Sequence, residues 1–335
     1  MHAADAPRPA TSLRSARPVR LLATGGTISM RGGHAAPALA ATQLVGAVPE
    51  LAAFGPLAVE DLLELPSAQI TLAQALAVAR RAKEAAQSGE GVVISTGTDT
   101  LEELAMLCCL MHGAQAPIVL TGANRTAEAP GADGPANLLD AVSVAASSRS
   151  ASLGTVVVFA GEIHAASMVR KVDSTGPTAF GSPLAGPLGR VVGGRPWLAS
   201  LPMRPAALAP ASLGGRVEIV TAALGDDGAL LQTAAARADG LVVVAFGAGH
   251  VTPGMLAALR GVVTRIPVVV TVRPERGAML HATYGFEGSE RDLRGSGAIC
   301  TPFLSPFAAR IALLCCLGCG MDRAGIASAL SAWDV

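Results

Sequence analysis

The sequence predicts a two-domain α/β protein: a larger N-terminal domain on a mostly parallel sheet with helices on both faces, and a smaller C-terminal α/β domain. Three observations carry this. Short uninterrupted apolar runs such as Gly91-Val92-Val93-Ile94-Ser95 alternate with segments of helical spacing, as in a parallel sheet covered on both faces. The 335 residues are 51% hydrophobic and 15% charged, enough for two cores of ordinary size. A proline- and glycine-rich stretch separates two such alternating series.

Taken in order, the first strand is Arg20-Leu21-Leu22-Ala23, running into Thr24-Gly25-Gly26-Thr27-Ile28. The glycine pair can adopt angles closed to other residues and lets another group approach the main chain. A loop over Ser29–Ala38 contains His34, and a helix follows near Ala41–Val48. Leu62–Leu65 leads into a turn at Pro66-Ser67-Ala68-Gln69. Thr71 reads as the cap of a long helix, with Leu72, Ala75, Leu76 and Ala79 at helical spacing and Gly89 ending it. Val92–Ile94 is the next strand, and Asp99-Thr100 opens the helix after it. Pro117–Leu120 is a strand ending in Thr121-Gly122-Ala123-Asn124-Arg125. Asp133-Gly134-Pro135 starts a helix, with proline in its favoured first turn, and Val156–Phe159 is a further strand. Gly161–Ala185 interrupts the alternation. In the second series Val217–Thr221, Leu241–Ala245 and Pro267–Val272 read as strands. Helices are expected near Leu230–Arg237, Pro253–Leu259, Pro306–Leu317 and Asp322–Ala332. The expected division is a disordered leader at 1–17, a domain at 18–195, a linker at 196–215 and a domain at 216–335.

Composition narrows the function. The formal net charge of +0 argues against nucleic acid or an anionic membrane as partner, because both select basic surfaces. No apolar run approaches the roughly 20 residues that cross a bilayer. The leader is rich in Ala, Pro, Ser and Arg without the apolar core of a secretory signal, which points to a cytoplasmic protein. Cys108-Cys109 and Cys315-Cys316 lie in helical patterns as small hydrophobes, and no His/Asp/Glu spacing supports a metal.

Two strand-to-turn junctions carry Gly-Thr. One is Thr24-Gly25-Gly26-Thr27-Ile28; the other is Thr96-Gly97-Thr98-Asp99-Thr100-Leu101-Glu102-Glu103. A hydroxyl at such a corner, beside backbone N–H groups, has the geometry of a nucleophile with oxyanion donors. A glycine turn with a capping threonine is the competing reading. Together, in this order and each after a strand, the two stretches resemble the signature motifs of the bacterial-type L-asparaginases.

The resemblance implies an amidohydrolase that cleaves L-asparagine, with L-glutamine as a lesser substrate, and needs no cofactor. It makes Thr27 the residue that attacks the side-chain amide, and Thr98, Asp99 and Lys171 a second catalytic group. Lys171 is matched through Arg170-Lys171-x-x-Ser174. Asp99 would hold the substrate α-ammonium and Ser67 its α-carboxylate, with Gly26, Gly97 and Ala123 lining the pocket. The family assembles as homo-oligomers, so a homodimer or homotetramer is implied, with His250 and Glu275 as candidates for contact with a neighbour's site.

Two departures stand out. The family places a tyrosine on the loop after the nucleophile, but the one tyrosine here is Tyr284. His34 falls near that place, either as a replacement base or as a bystander. The family's supporting glutamate has no clear match near Arg273–Gly285, where Glu275 is the nearest candidate. Two alternatives therefore stay open: an amino-acid-binding or regulatory homologue that has lost activity, and the glutaminase-like amidase subunit of an amidotransferase. The hydrolase reading requires both corners and Lys171 to meet in one cleft.

Overall fold

The computed structural model describes residues 17–31, 36–37 and 40–333. His34 lies outside the described residues. The strands up to the linker are β1 (Val19–Gly25), β2 (Met30–Arg31), β3 (Ala36–Pro37), β4 (Ala58–Leu65), β5 (Gly91–Ser95) and β6 (Ile118–Thr121), followed by β7 (Thr155–Phe159), β8 (Glu162–Ala165), β9 (Arg170–Lys171), β10 (Phe180–Gly181), β11 (Gly189–Val192) and β12 (Arg195–Leu198). Helices α1 (Ala41–Gly46), α2 (Leu72–Gln87), α3 (Leu101–Met111) and α4 (Gly134–Ala146) run between them.

Eight strands form one sheet in the order β12-β11-β8-β7-β6-β5-β1-β4. The five from β7 to β4 are parallel. Strands β1, β5, β6 and β7 are buried along almost their whole length, so their sequences read as continuous apolar runs. Successive side chains point to opposite faces. Leu22, Ile94, Leu120 and Val157 pack on one face with α2 and α3; Leu21, Val93, Val119 and Val158 pack on the other with α4. The predicted helix cap at Thr71 is present: Gln74 N–H donates to Thr71 Oγ1 at 3.3 Å, and Gln74 Oε1 accepts from Thr71 N–H at 2.9 Å.

Strand β4 starts earlier than its apolar residues suggest. It is the half-buried edge and carries Glu60 and Asp61. Glu60 pairs with Arg81 at 2.8 Å, and Asp61 accepts the Ala41 N–H at 2.8 Å. The break in alternation after Phe159 is also a strand region. The chain turns back at Ala160 (φ 49°) and Gly161 (φ 76°), and β8, β11 and β12 continue the sheet antiparallel. Strands β9 and β10 form a separate short hairpin that carries Lys171.

Strand β12 occupies the first residues of the segment read as linker, and residues 199–216 carry no helix or strand. Arg204 ties that segment to α3 by donating to His112 Nδ1 at 3.1 Å and Ala114 O at 2.7 Å. Beyond it β13 (Val217–Thr221), β14 (Gly240–Ala245), β15 (Val268–Val272) and β16 (Ile299–Cys300) form a parallel four-stranded sheet in that order. Helices α5 (Ala229–Ala235) and α6 (Pro253–Val262) cover one face, and α8 (Pro306–Gly318) covers the other. Helix α7 (Glu290–Gly295) and α9 (Arg323–Ser331) complete the second part. Helix α3 packs on α8, joining the two sheets through one shared core. Cys108, Cys315 and Cys316 are buried there, and burial pushes the Cys316 thiol up to about 11. No described helix is long and apolar enough to cross a membrane.

Candidate active site

Strand order places the site. The chain leaves β1 for β4 on one side and later comes back to β5 on the other, so the order reverses at β1. Parallel sheets bind ligands outside the carboxyl ends of the strands at such a reversal. The residues after β4, β1, β5 and β6 are Ser67, Thr27, Thr98-Asp99 and Ala123 respectively. Four adjacent strand ends thus carry the predicted positions.

The two Gly-Thr corners touch through their backbones. Gly26 has φ 85° and ψ −178°, a region reserved for glycine. A Cβ there would lie 2.2 Å from the Gly97 nitrogen and 2.4 Å from its Cα. A Cβ on Gly97 would in turn lie 2.5 Å from Ser67 Oγ. Gly26, Gly97 and Ser67 therefore form a contiguous row at main-chain distance. Thr27 opens a single 3-10 turn at the end of this row and is half-buried. Among the described residues no group hydrogen-bonds its hydroxyl.

Ser67 is buried, and its Oγ accepts the Asp99 N–H at 3.2 Å. Thr100 Oγ1 donates to the Ser67 carbonyl at 3.1 Å. Thr100, not Asp99, is the residue before α3, so the Asp99 carboxylate is not spent on capping. Its side chain is 63% exposed. Lys171 Nζ lies 2.8 Å from Thr98 Oγ1 and 3.5 Å from Asp99 Oδ1. The third requirement read from the sequence, a lysine on these two residues, is met in space.

Comparison with known proteins identifies the family. Residues 18–203 match the family model described as asparaginase, N-terminal, and residues 216–330 match the glutaminase/asparaginase C-terminal domain. The chain belongs to the asparaginase family. It is 37% identical over 310 residues to a probable L-asparaginase of Deinococcus radiodurans, covering 91% of this chain and 94% of that one. It is 32% identical to an L-asparaginase of Bacillus licheniformis, over 84% and 89% of the two chains. A glutaminase-asparaginase of Pseudomonas fluorescens is 37% identical over 56% of this chain and 54% of its own.

Other residues near the site, some of them expected from the sequence, fall in different places. Ala123 is fully buried, with its side chain close to Gly134, so any ligand contact from it is by main chain. Asp133 does not cap α4 with its side chain. Its carboxylate accepts the N–H groups of Asn124 and Arg125 at 3.0 and 2.9 Å. Buried Asn137 donates to Gly122 O at 3.0 Å and accepts the Ala160 N–H at 3.0 Å. Both residues shape the turn after β6. Glu275 is exposed in the cleft between the two sheets, on whose wall Arg170 also lies. His250 stacks edge-on against Tyr284 and Phe286, both with ring centroids 4.9 Å away, and its Nε2 is 3.4 Å from buried Glu290 Oε2. Among the described residues no cluster of three or more His, Cys, Asp or Glu side chains is placed to hold a metal.

Two residues stand in the sequence only inside longer stretches, with no role of their own: Asn124, which donates to Gly176 O at 2.7 Å and ties down the loop after Lys171, and Glu102. In the structure its Oε2 accepts the backbone N–H of Lys171 at 3.0 Å. Burial pushes its carboxyl up, and Arg170 beside it pulls the other way.

Proposed function

We propose that this protein hydrolyses L-asparagine to L-aspartate and ammonia, with L-glutamine as a weaker substrate. The contact between Gly26 and Gly97, with Lys171 on Thr98, is the observation that carries the reading. Thr27 Oγ attacks the side-chain amide carbon. Backbone N–H groups at the glycine corner stabilise the oxyanion. The C–N bond breaks, the departing nitrogen takes up a proton, and ammonia leaves an ester on Thr27. Water, oriented by Thr98 and Lys171, hydrolyses that ester to aspartate and restores the hydroxyl. Asp99 receives the α-ammonium, while the Ser67 hydroxyl and nearby N–H groups receive the α-carboxylate. Every group these steps call on is a side chain, a backbone N–H or water. An extra methylene in the substrate is worth only about 1–3 kcal/mol, so glutamine is disfavoured and not excluded.

The same reading makes the protein a homo-oligomer, dimer or tetramer. Tyr284 is 42% and Phe286 50% exposed, side by side with His250, in a chain with only 3% aromatics. Such a patch supports a protein contact. Domains divided near the 196–215 linker fit the two larger sheets, of eight and four strands.

One observation favours a second assignment of the nucleophile. Of the two threonine hydroxyls, Thr98 is the one with a lysine at 2.8 Å. Ammonia release from asparagine, compared between wild type, Thr27→Ala and Thr98→Ala, tests both. Loss of at least a thousandfold in Thr27→Ala is expected, with no burst of ammonia. Release that survives Thr27→Ala and disappears in Thr98→Ala transfers the attack to Thr98. Asparagine that binds wild type without ammonia release would overturn the hydrolase reading.

A further inference from the structure

Lys171 sits on a hairpin only two residues wide, β9 against β10. A strand that short does not hold a long side chain to a 2.8 Å contact by its own pairing, so something else must fix it. The register Phe180↔Lys171 and Gly181↔Arg170 leaves one edge of β9 unpaired by any strand among the described residues. Glu102 faces that edge. Its Oε2 accepts the Lys171 N–H at 3.0 Å and lies 3.5 Å from Arg170 Nε. Glu102 is in the first turn of α3, three residues after Asp99 and four after Thr98. The turn that carries Thr98 and the strand that carries Lys171 are thus bound to each other by one carboxylate.

The surroundings show that this is a built contact. Glu102 has a side chain only 13% exposed, and that of Arg170 is 20% exposed. The Arg170 guanidinium lies 5.9 Å from the ring of Phe307, at the start of α8 in the second sheet's layer. Next to Glu102, Glu103 pairs with Arg310 of the same helix at 3.4 Å. Helix α8 therefore holds Arg170 and α3 from behind. The carboxylate is mostly removed from water, where a poorly paired charge is costly, and both of its contacts lie on β9.

We propose that Glu102 is a positioning residue for the hydrolase reaction: from the first turn of α3 it holds Lys171 on Thr98 by accepting the Lys171 backbone N–H, with the Arg170 guanidinium alongside at ion-pair distance. It touches neither substrate nor the reacting atoms. Its effect is on the alignment of a group that does, and small misplacements of catalytic groups cost up to about a hundredfold in rate. The proposal rests on Lys171 acting in catalysis, so Lys171→Met is the reference.

The test compares kcat and KM for asparagine in Glu102→Ala, Glu102→Gln, Glu102→Asp and Lys171→Met. Gln keeps an acceptor for the Lys171 N–H at the same reach and gives up the charge. Asp keeps the charge and withdraws it by one methylene. The expected order is Gln within about threefold of wild-type kcat, and Asp and Ala at least tenfold lower, with KM shifted less than about threefold because Ser67 and Asp99 stay in place. If Ala does not fold, the Gln and Asp pair decides alone. Asp as active as wild type, or Gln as impaired as Asp, overturns the proposal. Full activity in Lys171→Met instead removes the underlying role of Lys171, an outcome read from a different variant.

Discussion

Replacing Gly26 by alanine tests the convergence of the two corners most directly, because an internal control exists. Gly26 (φ 85°, ψ −178°) and Gly55 (φ 83°, ψ −172°) have nearly the same backbone conformation. An alanine at either position bears the same conformational strain, about 1–3 kcal/mol. The surroundings differ. A Cβ on Gly55 meets nothing within 4 Å, whereas one on Gly26 comes within 2.2 Å of the Gly97 nitrogen. That overlap is with backbone, not with the end of a flexible side chain, so it is relieved only by parting the ends of β1 and β5. Overpacking of this kind adds about 1–3 kcal/mol. Gly26→Ala should therefore lose about 2–6 kcal/mol, and exceed Gly55→Ala by about 1–3 kcal/mol. Urea unfolding measures the difference, and ammonia release should fall at least a hundredfold in Gly26→Ala alone. Equal destabilisation of the two variants, with Gly26→Ala still active, would refute the contact between the corners.

Three further outcomes are expected. Burial raises the Asp140 carboxyl to about 6 from its ordinary 3.8, so its contribution to stability is present below about 3.8 and is lost as pH rises through 6; Asp140→Asn should flatten the melting temperature over that window and gain about 1 kcal/mol at pH 7.5, after discounting for partial solvent access. Ala160 is held at φ 49° between β7 and β8, and Asn tolerates that conformation, so Ala160→Asn should gain about 0.5–1 kcal/mol in urea unfolding with unchanged activity. Phe286→Asp, placed in the exposed ring cluster, should lower the sedimentation coefficient toward that of a monomer, and an unchanged coefficient would remove that patch from self-association.

The fold was legible where burial was complete. Strands β5, β6, β7, β14 and β15 are covered on both faces, so their apolar runs announced them within a residue or two. Legibility failed where side chains serve partners distant in sequence. The start of β4 hid behind Glu60 and Asp61, whose partners are Arg20 and Arg81 for one and the N–H of Ala41 for the other. The antiparallel return after Phe159 turns on Ala160 in a conformation its residue type does not signal. At the site, the glycine corners were visible as motifs, and so were Ser67, Asp99 and Lys171. What no local pattern carried was how Lys171 is held on Thr98, since the Lys171 N–H meets the Glu102 carboxylate 69 residues away in sequence only in the folded chain.

That last point explains why the site is built from glycines. Neighbouring parallel strands lie about 4.8 Å apart, so side chains leaving two adjacent strand ends would fill the space between them. Gly26 and Gly97 remove those side chains where β1 and β5 end, and Gly122 does the same beside β6, where a Cβ would lie 2.5 Å from Thr96 O. The backbones close up, and the first hydroxyl after each of the two Gly-Thr corners, Thr27 and Thr98, emerges just beyond the contact. In the proposed reaction the substrate amide sits between them, within reach of N–H groups of both corners. Lys171 and Asp99 then add charge from the open side, where it stays partly in water and is held by α3. A pocket of this construction depends less on the bulk of its lining than on two absent Cβ atoms, which is why a single methyl group at Gly26 should undo it.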